Sequence, residues 1–472
     1  MRIMLVDPGF GNRSWNTFGQ SHWTSIIHAG LCGLSACAKQ AGFNDVHLLD
    51  IRQLKNWNEL EKRFNDINPD LVALTMRSCD HNIDLEIAQR FKKLKPNVKI
   101  VVGGVHVSID PVFVQGFFEY DYIITGEGEI TFVNLLKAIE TGVEFPRVSV
   151  GERPDLDTLP FIDRDLYPYS TSINLPNYEG VFRRPMVTML CARGCPFRCS
   201  FCYPHAKIHF GEKVRQRSVS NVMQELDLLY ERYHFECVKF YDYTFMLDTA
   251  WSEEFCDKYA HIGKPFWIQS RADLVARHSD LMSRLKKVGL RMIGIGFESG
   301  SDKVLKDLRK GSTREINLKA ARICKEHGVL LSASFMLGTP TEEEEDIKAT
   351  ISLAKTMRPE FTSVSFFTPI PGNDLYVDCK EKNLILSEDP EMWVEFSPEI
   401  PKIKGKDYER LKRAAAEIMG DRFGGTLMGK FIRYVYVKTK YYYRLRNFLV
   451  YLYSRWVSSC GYRFIQRCRK VH

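Results

Sequence analysis

The sequence predicts an α/β protein with two parallel-sheet units in succession and a helical C-terminal tail. Apolar runs of strand length alternate with segments of helical period in two separate series. Residues 146–185 lie between the two series, are rich in Pro, Asp and Tyr, and lack periodicity. A length of 472 residues also indicates more than one domain, because single cores stop growing well below it.

The overall composition is typical of a folded globular protein, with 44% hydrophobic and 26% charged residues. Residues 1–7 resemble a strand and not a charged leader, so we expect no secretory signal and a cytoplasmic location. No stretch reaches the roughly 18 apolar residues that a membrane-spanning helix needs. The thirteen cysteines are scattered along the chain, which favours metal or redox chemistry over a disulfide framework.

The first unit, residues 1–145, is predicted to be a doubly wound parallel sheet. Its strand-like runs are MRIMLVD, VHLLDI, DLVALTM, KIVVGGVH and DYIITGEGE, with helical segments between them. Ligands of such sheets bind at the carboxyl ends of the strands. Three of these ends carry glycine, which permits close approach of the backbone to a ligand. The strand ends therefore predict a binding face.

We interpret residues 146–185 as an ordered linker and residues 186–400 as a second α/β unit. Six strand-like runs recur there, each followed by a helical segment: MVTMLC, CVKFYDYTF, PFWIQSR, MIGIGFES, LLSASFMLG and SVSFFTPI. Six such units are too few for a closed eight-stranded barrel, so the pattern predicts a partial (β/α)6 barrel.

The stretch CARGCPFRCSFCYP, residues 191–204, places four cysteines at the mouth of this barrel. A structural zinc site would need a fourth ligand, typically from a second Cys pair or His, and a redox C-x-x-C dithiol would not need a third cysteine upstream. Three thiolates spaced C-x-x-x-C-x-x-C suit a cubane iron–sulfur cluster with one iron left open. Cys191 is better explained as a buried strand residue.

This stretch resembles the signature loop of the radical SAM superfamily. The resemblance implies that Cys195, Cys199 and Cys202 hold a 4Fe–4S cluster, whose fourth iron binds S-adenosylmethionine. Reductive cleavage of that cofactor yields a radical that abstracts hydrogen from an unactivated carbon. Phe201 matches the aromatic residue beside the adenine.

Later segments resemble the other strand ends around S-adenosylmethionine in that family, over roughly residues 180–380. FYDYTF supplies Asp242, GIGFESG supplies Glu298 and FMLGTPTE supplies Gly338, with FTPIPG as a further strand end. Arg271, in WIQSRAD, is predicted either to pair with the methionine carboxylate or to pair with a neighbouring acid, and the same alternatives hold for Asp242. A structural ion pair is the alternative for Glu298.

The first unit resembles the cobalamin-binding module of the radical SAM subgroup that contains anaerobic magnesium-protoporphyrin monomethyl ester cyclase and hopanoid-modifying enzymes. The resemblance implies cofactor contacts from the GGVH and GEGE loops, through Gly104, His106, Gly126 and Glu127. The D-x-H-x-x-G motif of other cobalamin proteins is absent, so we expect no histidine ligand to cobalt and treat His81 as a turn residue. A domain that no longer holds cobalamin is the alternative.

The tail, residues 401–472, is predicted to be helical, basic and aromatic. Residues 422–472 carry twelve Lys or Arg and no Asp or Glu, so the rest of the chain has a net charge of −4 against +8 overall. Such a pattern fits an anionic membrane surface, nucleic acid or a helical cap on the barrel. We favour peripheral contact with the inner face of the membrane over nucleic acid.

The expected function is radical modification of an unactivated carbon in a hydrophobic or natural-product substrate, by methylation, cyclisation or rearrangement. The expected partners are a small-molecule or lipid-like substrate and a reductant such as flavodoxin or ferredoxin. The alternative is a nucleic-acid-binding or tRNA-modifying protein that resembles the methylthiotransferases. Those proteins carry a second cysteine triad, whereas Cys32, Cys37 and Cys79 are spaced like core residues.

Overall fold

The computed structural model describes residues 1–9, 26–175, 181–202, 205–389 and 400–420. The predictions for the basic and aromatic stretch at residues 422–472 therefore fall outside the described residues.

The first unit is a parallel sheet with helices on both faces, as predicted. In chain order its elements are β1 (Ile3–Asp7), α1 (Ala29–Gln40), β2 (Val46–Asp50), α2 (Trp57–Ile67), β3 (Leu71–Thr75), α3 (His81–Leu94), β4 (Lys99–Gly103), α4 (Val105–Ile109), α5 (Pro111–Gln115), β5 (Tyr122–Thr125), α6 (Glu129–Thr141) and β6 (Val148–Val150). Single turns of 3₁₀ helix lie at Ile51–Gln53 and Ser78–Asp80. The strand order is β2-β1-β3-β4-β5-β6, so the order reverses between β1 and β3, where ligands of such sheets bind.

Both faces of this sheet are buried, which explains why its strands read as continuous apolar runs. On one face, Leu31 of α1 and Phe132 of α6 pack against alternate strand residues such as Leu5. On the other face, Phe64 of α2 and Phe91 of α3 stack with their ring centroids 4.1 Å apart.

The linker begins later than the sequence indicates, because β6 lies within residues 146–185 and pairs with β5. A strand of three residues is too short to show a periodic pattern. The rest of the linker holds 3₁₀ turns at Leu156–Thr158 and Arg164–Leu166 and the short helix α7 (Tyr169–Ser172). It touches both units: the Tyr167 hydroxyl donates to Asp7 at 2.8 Å, and Arg164 pairs with Glu225.

The second unit is an open sheet of six parallel strands, which confirms the predicted partial barrel. Its elements are β7 (Met186–Met189), β8 (Ala192–Arg193), α8 (His205–Ile208), β9 (Arg215–Gln216), α9 (Val219–Tyr233), β10 (Cys237–Phe240), α10 (Thr249–Tyr259), β11 (Phe266–Ser270), α11 (Ala272–Arg277), α12 (Ser279–Val288), β12 (Leu290–Glu298), α13 (Asp302–Asp307), α14 (Arg314–Glu326), β13 (Leu330–Leu337), α15 (Glu344–Met357), β14 (Phe361–Phe366), α16 (Asp374–Glu381) and α17 (Tyr408–Gly420). The barrel order is β14-β13-β12-β11-β10-β7, and β8 and β9 form a separate antiparallel pair.

The helix α17 belongs to the barrel, although the sequence places it at the start of the tail. Tyr408, Leu411 and Ile418 are buried in the same core as the strands β13 and β14. Within the described part of the chain, no helix has the length and hydropathy to cross a membrane.

Substitution of Gly104 would show whether the packing of the backbone, and not only a ligand, requires glycine at the end of β4. Its φ is +102°, and a Cβ there would lie 2.8 Å from both the N and the O of Met76. Gly42 has a similar φ of +98° but nothing within 4 Å, so it is a matched control for backbone strain alone. We expect Gly104→Ala to lower the free energy of unfolding by at least about 2 kcal/mol more than Gly42→Ala, in denaturant unfolding of the cofactor-free protein. Equal losses would show that packing does not select this glycine.

Candidate active site at the strand ends

The cluster loop, residues 191–202, leaves the end of β7 and places three thiols together. Cys195 and Cys199 are half-buried, whereas Cys202 is exposed on one side. Desolvation, with the adjacent Cys199 and Cys195 thiols acting in the same direction, raises the pKa of Cys202 to about 12. Three thiols on one loop fit the set of ligands that an iron–sulfur cluster needs. In the described residues, no group of three His, Cys, Asp or Glu side chains could hold a single metal ion.

Cys191 is fully buried at the start of this loop, as the sequence indicates, and burial raises the pKa of its thiol. Its backbone N–H donates to the Asp242 carboxylate at 3.0 Å. Burial raises the pKa of Asp242 to about 7 even though this carboxyl accepts backbone hydrogen bonds. Asp242 therefore fixes the start of the cluster loop through this hydrogen bond.

Two cations approach the thiols, Arg271 from the end of β11 and Lys310 from the loop between α13 and α14. The Arg271 guanidinium donates to the Cys199 sulfur at 3.5 Å and stacks 3.6 Å from the ring centroid of Phe197. It also pairs with Asp273 at 2.9 Å, so the predicted neighbouring acid is present. The same guanidinium donates to the backbone carbonyl of Lys310.

Lys310 is the second cation, and its Nζ lies 2.7 Å from the Glu298 carboxylate. Burial alone would lower the pKa of Lys310, but Glu298 and Cys199 beside it raise that pKa. Glu298 has a φ of +62°, an uncommon conformation for a non-glycine residue that turns its side chain at the end of β12. The Glu298 carboxylate and the Lys310 ammonium thus lie together at the mouth of the barrel, where they could bind a polar ligand.

The predicted adenine and strand-end residues lie around the same mouth. Phe201 is partly buried, with Lys310 Nζ 5.6 Å from its ring centroid. The Gly338 N–H donates to Glu342 at 2.5 Å, so this donor is already used within the protein.

The first unit presents the ends of β4 and β5 toward the barrel. Ser108 Oγ lies 2.8 Å from His209 Nδ1, just beyond the cluster loop, and accepts from the Gly126 N–H at 2.8 Å. His106 is instead buried beside Ser78, at 3.0 Å, and burial lowers the pKa of its imidazole to about 4. A corrin contact for Gly104, Gly126 or His106 stays a prediction.

Glu127 and Glu129 form ion pairs with the barrel. Arg193, between the first two cysteines of the cluster loop, pairs with Glu127 and lies 2.6 Å from Glu129. Arg215 of β9 pairs with the same Glu127. We call these four residues the interdomain clamp. Because burial raises the pKa of Glu127 despite the two guanidiniums, the clamp is a tightly enclosed contact.

Sequence reasoning missed Lys310, Arg193 and Arg215. Arg193 stands inside the quoted cysteine stretch, so a basic residue between two cysteines was an available signal, whereas Lys310 and Arg215 lie in no motif. Their partners are distant in the chain, and only the fold brings them together.

Two family descriptions match the chain, one on each unit. "Radical SAM superfamily" matches residues 189–354, and "B12 binding domain" matches residues 25–136. The chain is a radical SAM enzyme with a B12-binding domain. Its cofactors are accordingly a 4Fe–4S cluster, S-adenosylmethionine and cobalamin.

Several known proteins are similar to this radical SAM enzyme over most of its length. It is 26% identical to an uncharacterized methyltransferase of Pyrococcus horikoshii over 421 residues, which covers 86% of this chain and 89% of that protein. It is 28% identical to the anaerobic magnesium-protoporphyrin IX monomethyl ester cyclase of Cereibacter sphaeroides, covering 81% of this chain and 64% of that protein. A putative methylthiotransferase of Methanocaldococcus jannaschii is 28% identical over 348 residues. Even so, the comparisons do not support the alternative of a tRNA-modifying protein.

Solved structures share the fold. The radical SAM methyltransferase TsrM of Kitasatospora setae, with cobalamin and a [4Fe–4S] cluster bound, matches with a TM-score of 0.64 at 18% identity, covering 91% of this chain and 86% of that chain. The cobalamin-dependent enzyme OxsB, with aqua-cobalamin and S-adenosylmethionine bound, matches with a TM-score of 0.62 at 19% identity, covering 87% of this chain and 57% of that chain.

The interdomain clamp predicts that Arg193 stabilises the fold although it lies beside the cluster ligands. Arg193→Met leaves Glu129 buried without its guanidinium, and we expect a loss of roughly 2–3 kcal/mol in the free energy of unfolding. The figure lies below that of a fully buried pair because the Arg193 side chain is 23% exposed. Denaturant unfolding of the cofactor-free protein measures it.

Arg232→Met is the control, because Arg232 pairs with Asp165 where both side chains are more than half exposed. Its expected loss is within about 1 kcal/mol. If the two variants unfold alike, the clamp does not stabilise the contact between the units.

Proposed function

We propose that this protein uses S-adenosylmethionine and cobalamin to modify an unactivated carbon of a small molecule, with methyl transfer as the main outcome and cyclisation or rearrangement as the alternatives. The observation that carries the proposal is the clamp. Arg193, inside the cluster loop, is held by Glu127 and Glu129 at the end of β5. These ion pairs hold the strand-end edge of the B12-binding domain beside the loop that carries the three cysteines.

Different residues would hold the cluster and S-adenosylmethionine. Cys195, Cys199 and Cys202 would bind the cluster, which supplies the electron that cleaves S-adenosylmethionine. Arg271 donates toward the Cys199 sulfur and would help to position this ligand. Glu298 and Lys310 offer one charge of each sign to the amino and carboxylate groups of S-adenosylmethionine, beside Phe201 for the adenine.

Reductive cleavage of S-adenosylmethionine consumes one electron, which a donor outside the chain would supply. We propose flavodoxin or ferredoxin as this donor. Cys202 is exposed, so the cluster loop would be reachable from the surface.

The proposal is tested by reconstituting the full chain with iron and sulfide without oxygen. We expect about four irons and, after reduction, release of 5′-deoxyadenosine from S-adenosylmethionine. Changing Cys195, Cys199 or Cys202 to Ala should abolish both the iron–sulfur absorbance and the cleavage. Cys191→Ala is the matched control, since this buried cysteine should cost about 1 kcal/mol of stability and leave the cluster intact. Cleavage by the triple variant would refute the assignment.

We further propose that residues 422–472 bring the protein to the inner face of the membrane. The support is compositional: twelve Lys or Arg, thirteen aromatic residues and no acid. Each such cation near an anionic surface contributes about 1 kcal/mol, within a Debye length of it.

This membrane proposal predicts that the full chain sediments with anionic phosphatidylserine vesicles, not with neutral phosphatidylcholine vesicles, and dissociates in high salt. A chain that ends at Asp421 should lose sedimentation and keep cleavage of S-adenosylmethionine. An intact protein that ignores both kinds of vesicle, or that binds RNA instead, would contradict the proposal.

A further inference from the structure

Arg271 lies where β11 ends and α11 begins, and its side chain is buried at the mouth of the barrel. It directly follows Ser270, the last residue of β11, and its backbone carbonyl accepts from the Val275 N–H of α11 at 3.1 Å. The residue is only 7% exposed. A guanidinium at this depth is costly without acceptors, because its N–H groups lose their hydrogen bonds to water. The acceptors it has found therefore show what the side chain does.

Each nitrogen of the Arg271 guanidinium has an acceptor of its own. Nε donates to the Asp273 carboxylate at 2.9 Å, and Nη2 donates to the backbone carbonyl of Lys310. Nη1 donates to the sulfur of Cys199 at 3.5 Å. Because the guanidinium is a planar, rigid fork, three acceptors fix its orientation. That orientation directs one N–H to a cysteine of the cluster loop.

Phe197 and Gly311 shape the slot that holds this guanidinium. The ring centroid of Phe197, two residues before Cys199, lies 3.6 Å from the central carbon of the guanidinium, so the cation packs against an aromatic ring. A Cβ on Gly311 would lie 3.2 Å from Arg271 Nη2, so a larger residue there would press on the guanidinium. The cluster loop and the loop after α13 thus combine to build a slot for one arginine.

The charge of Arg271 is only partly compensated by its acid. Asp273 also pairs with Arg277, at 2.8 Å, so two guanidiniums share one carboxylate. Two cations and one anion leave this group of three with a net charge of +1. The Lys310 ammonium beside it is balanced by Glu298. Net positive charge therefore lies next to the sulfur of Cys199.

A donor and a positive charge at a ligand sulfur affect one property of an iron–sulfur cluster above all, its reduction potential. Reduction adds one electron, and so one negative charge, to the irons and their sulfur ligands. An N–H bond to a sulfur and a nearby cation stabilise that charge, so they favour the reduced state. Hydrogen bonds to the sulfurs, net charge and solvent exposure set the potential of such clusters.

We infer that Arg271 is a positioning residue that raises the reduction potential of the cluster by donating a hydrogen bond to the Cys199 sulfur. The electron comes from the external one-electron donor and is the one spent on cleavage of S-adenosylmethionine, and no proton leaves Arg271. The inference rests on the proposed function, because it takes Cys199 to be a cluster ligand. It gives Arg271 a partner within the protein in place of the methionine carboxylate.

The test measures the potential of the cluster in the full chain, reconstituted with iron and sulfide without oxygen, S-adenosylmethionine or cobalamin. Titanium(III) citrate is the reductant, and electron paramagnetic resonance follows the reduced cluster at set potentials. We expect Arg271→Gln to lower the equilibrium constant for reduction about tenfold, the order expected for one charge-assisted hydrogen bond. For one electron, that is a shift of about 59 mV to more negative potential. Glutamine leaves Asp273 paired with Arg277, so the substitution leaves no buried carboxylate alone.

Arg277→Met is the matched control, because Arg277 pairs with the same Asp273 but has a side chain that is 60% exposed. It should change the equilibrium constant less than about twofold, since water and salt screen an exposed charge. Arg271→Lys keeps the charge but cannot reproduce the fork, so its potential should lie between those of the unaltered protein and Arg271→Gln.

An unchanged potential in Arg271→Gln, or an equal shift in Arg277→Met, would overturn the inference and leave the proposed function standing. If Arg271→Gln holds no iron, Arg271→Lys decides, and an unchanged potential there overturns the inference. A raised KM for S-adenosylmethionine with an unchanged potential would assign Arg271 to the methionine carboxylate instead. Failure of the unaltered chain to bind iron would refute the cluster ligands of the proposed function, and this inference with them.

Discussion

The arrangement of the molecule depends on one ion pair network, in which Arg193 joins the cluster loop of the barrel to the end of a strand in the B12-binding domain. Glu127 is 1% exposed and receives two guanidiniums, from Arg193 and Arg215. A carboxylate buried at that depth would be very costly without its partners, so the two units are held in one relative position where they meet. That contact sets which strand ends face each other, and hence where both cofactors and a substrate would lie.

Electrostatics near the cysteines follow from the same geometry. Thiolates and a ligand carboxylate both need positive charge, and Arg271 and Lys310 supply it within the low-dielectric mouth. Glu298 balances Lys310, and Asp273 balances Arg271, so neither cation is buried alone. Asp242 accepts from the backbone N–H of Cys191 where the loop begins. Each polar residue at the mouth thus either compensates a charge or fixes the loop that carries the thiols.

The barrel interior and its mouth differ in the kinds of side chain they carry. The mouth gathers the cysteines and the charged residues proposed to hold the cofactors, while the partly exposed inner positions of β12 to β14 are mostly small or polar. Serines and glycines on the inner positions of β12 to β14 keep the lumen open, and large apolar residues occupy only its floor and the outer core.

The sequence by itself determined the two α/β units and the six barrel strands, and it predicts the cysteine ligands, because each of these follows from short-range periodicity or from spacing within one loop. It did not reveal β6, which is three residues long, or that α17 belongs to the barrel core, since short or isolated elements lack a repeating pattern. The partners of Glu127 and the meeting of Arg271 with Cys199 were decided only by the tertiary structure. Those contacts join residues far apart in the chain, and no local pattern records which distant side chains parallel strands and packed domains will bring within hydrogen-bond distance.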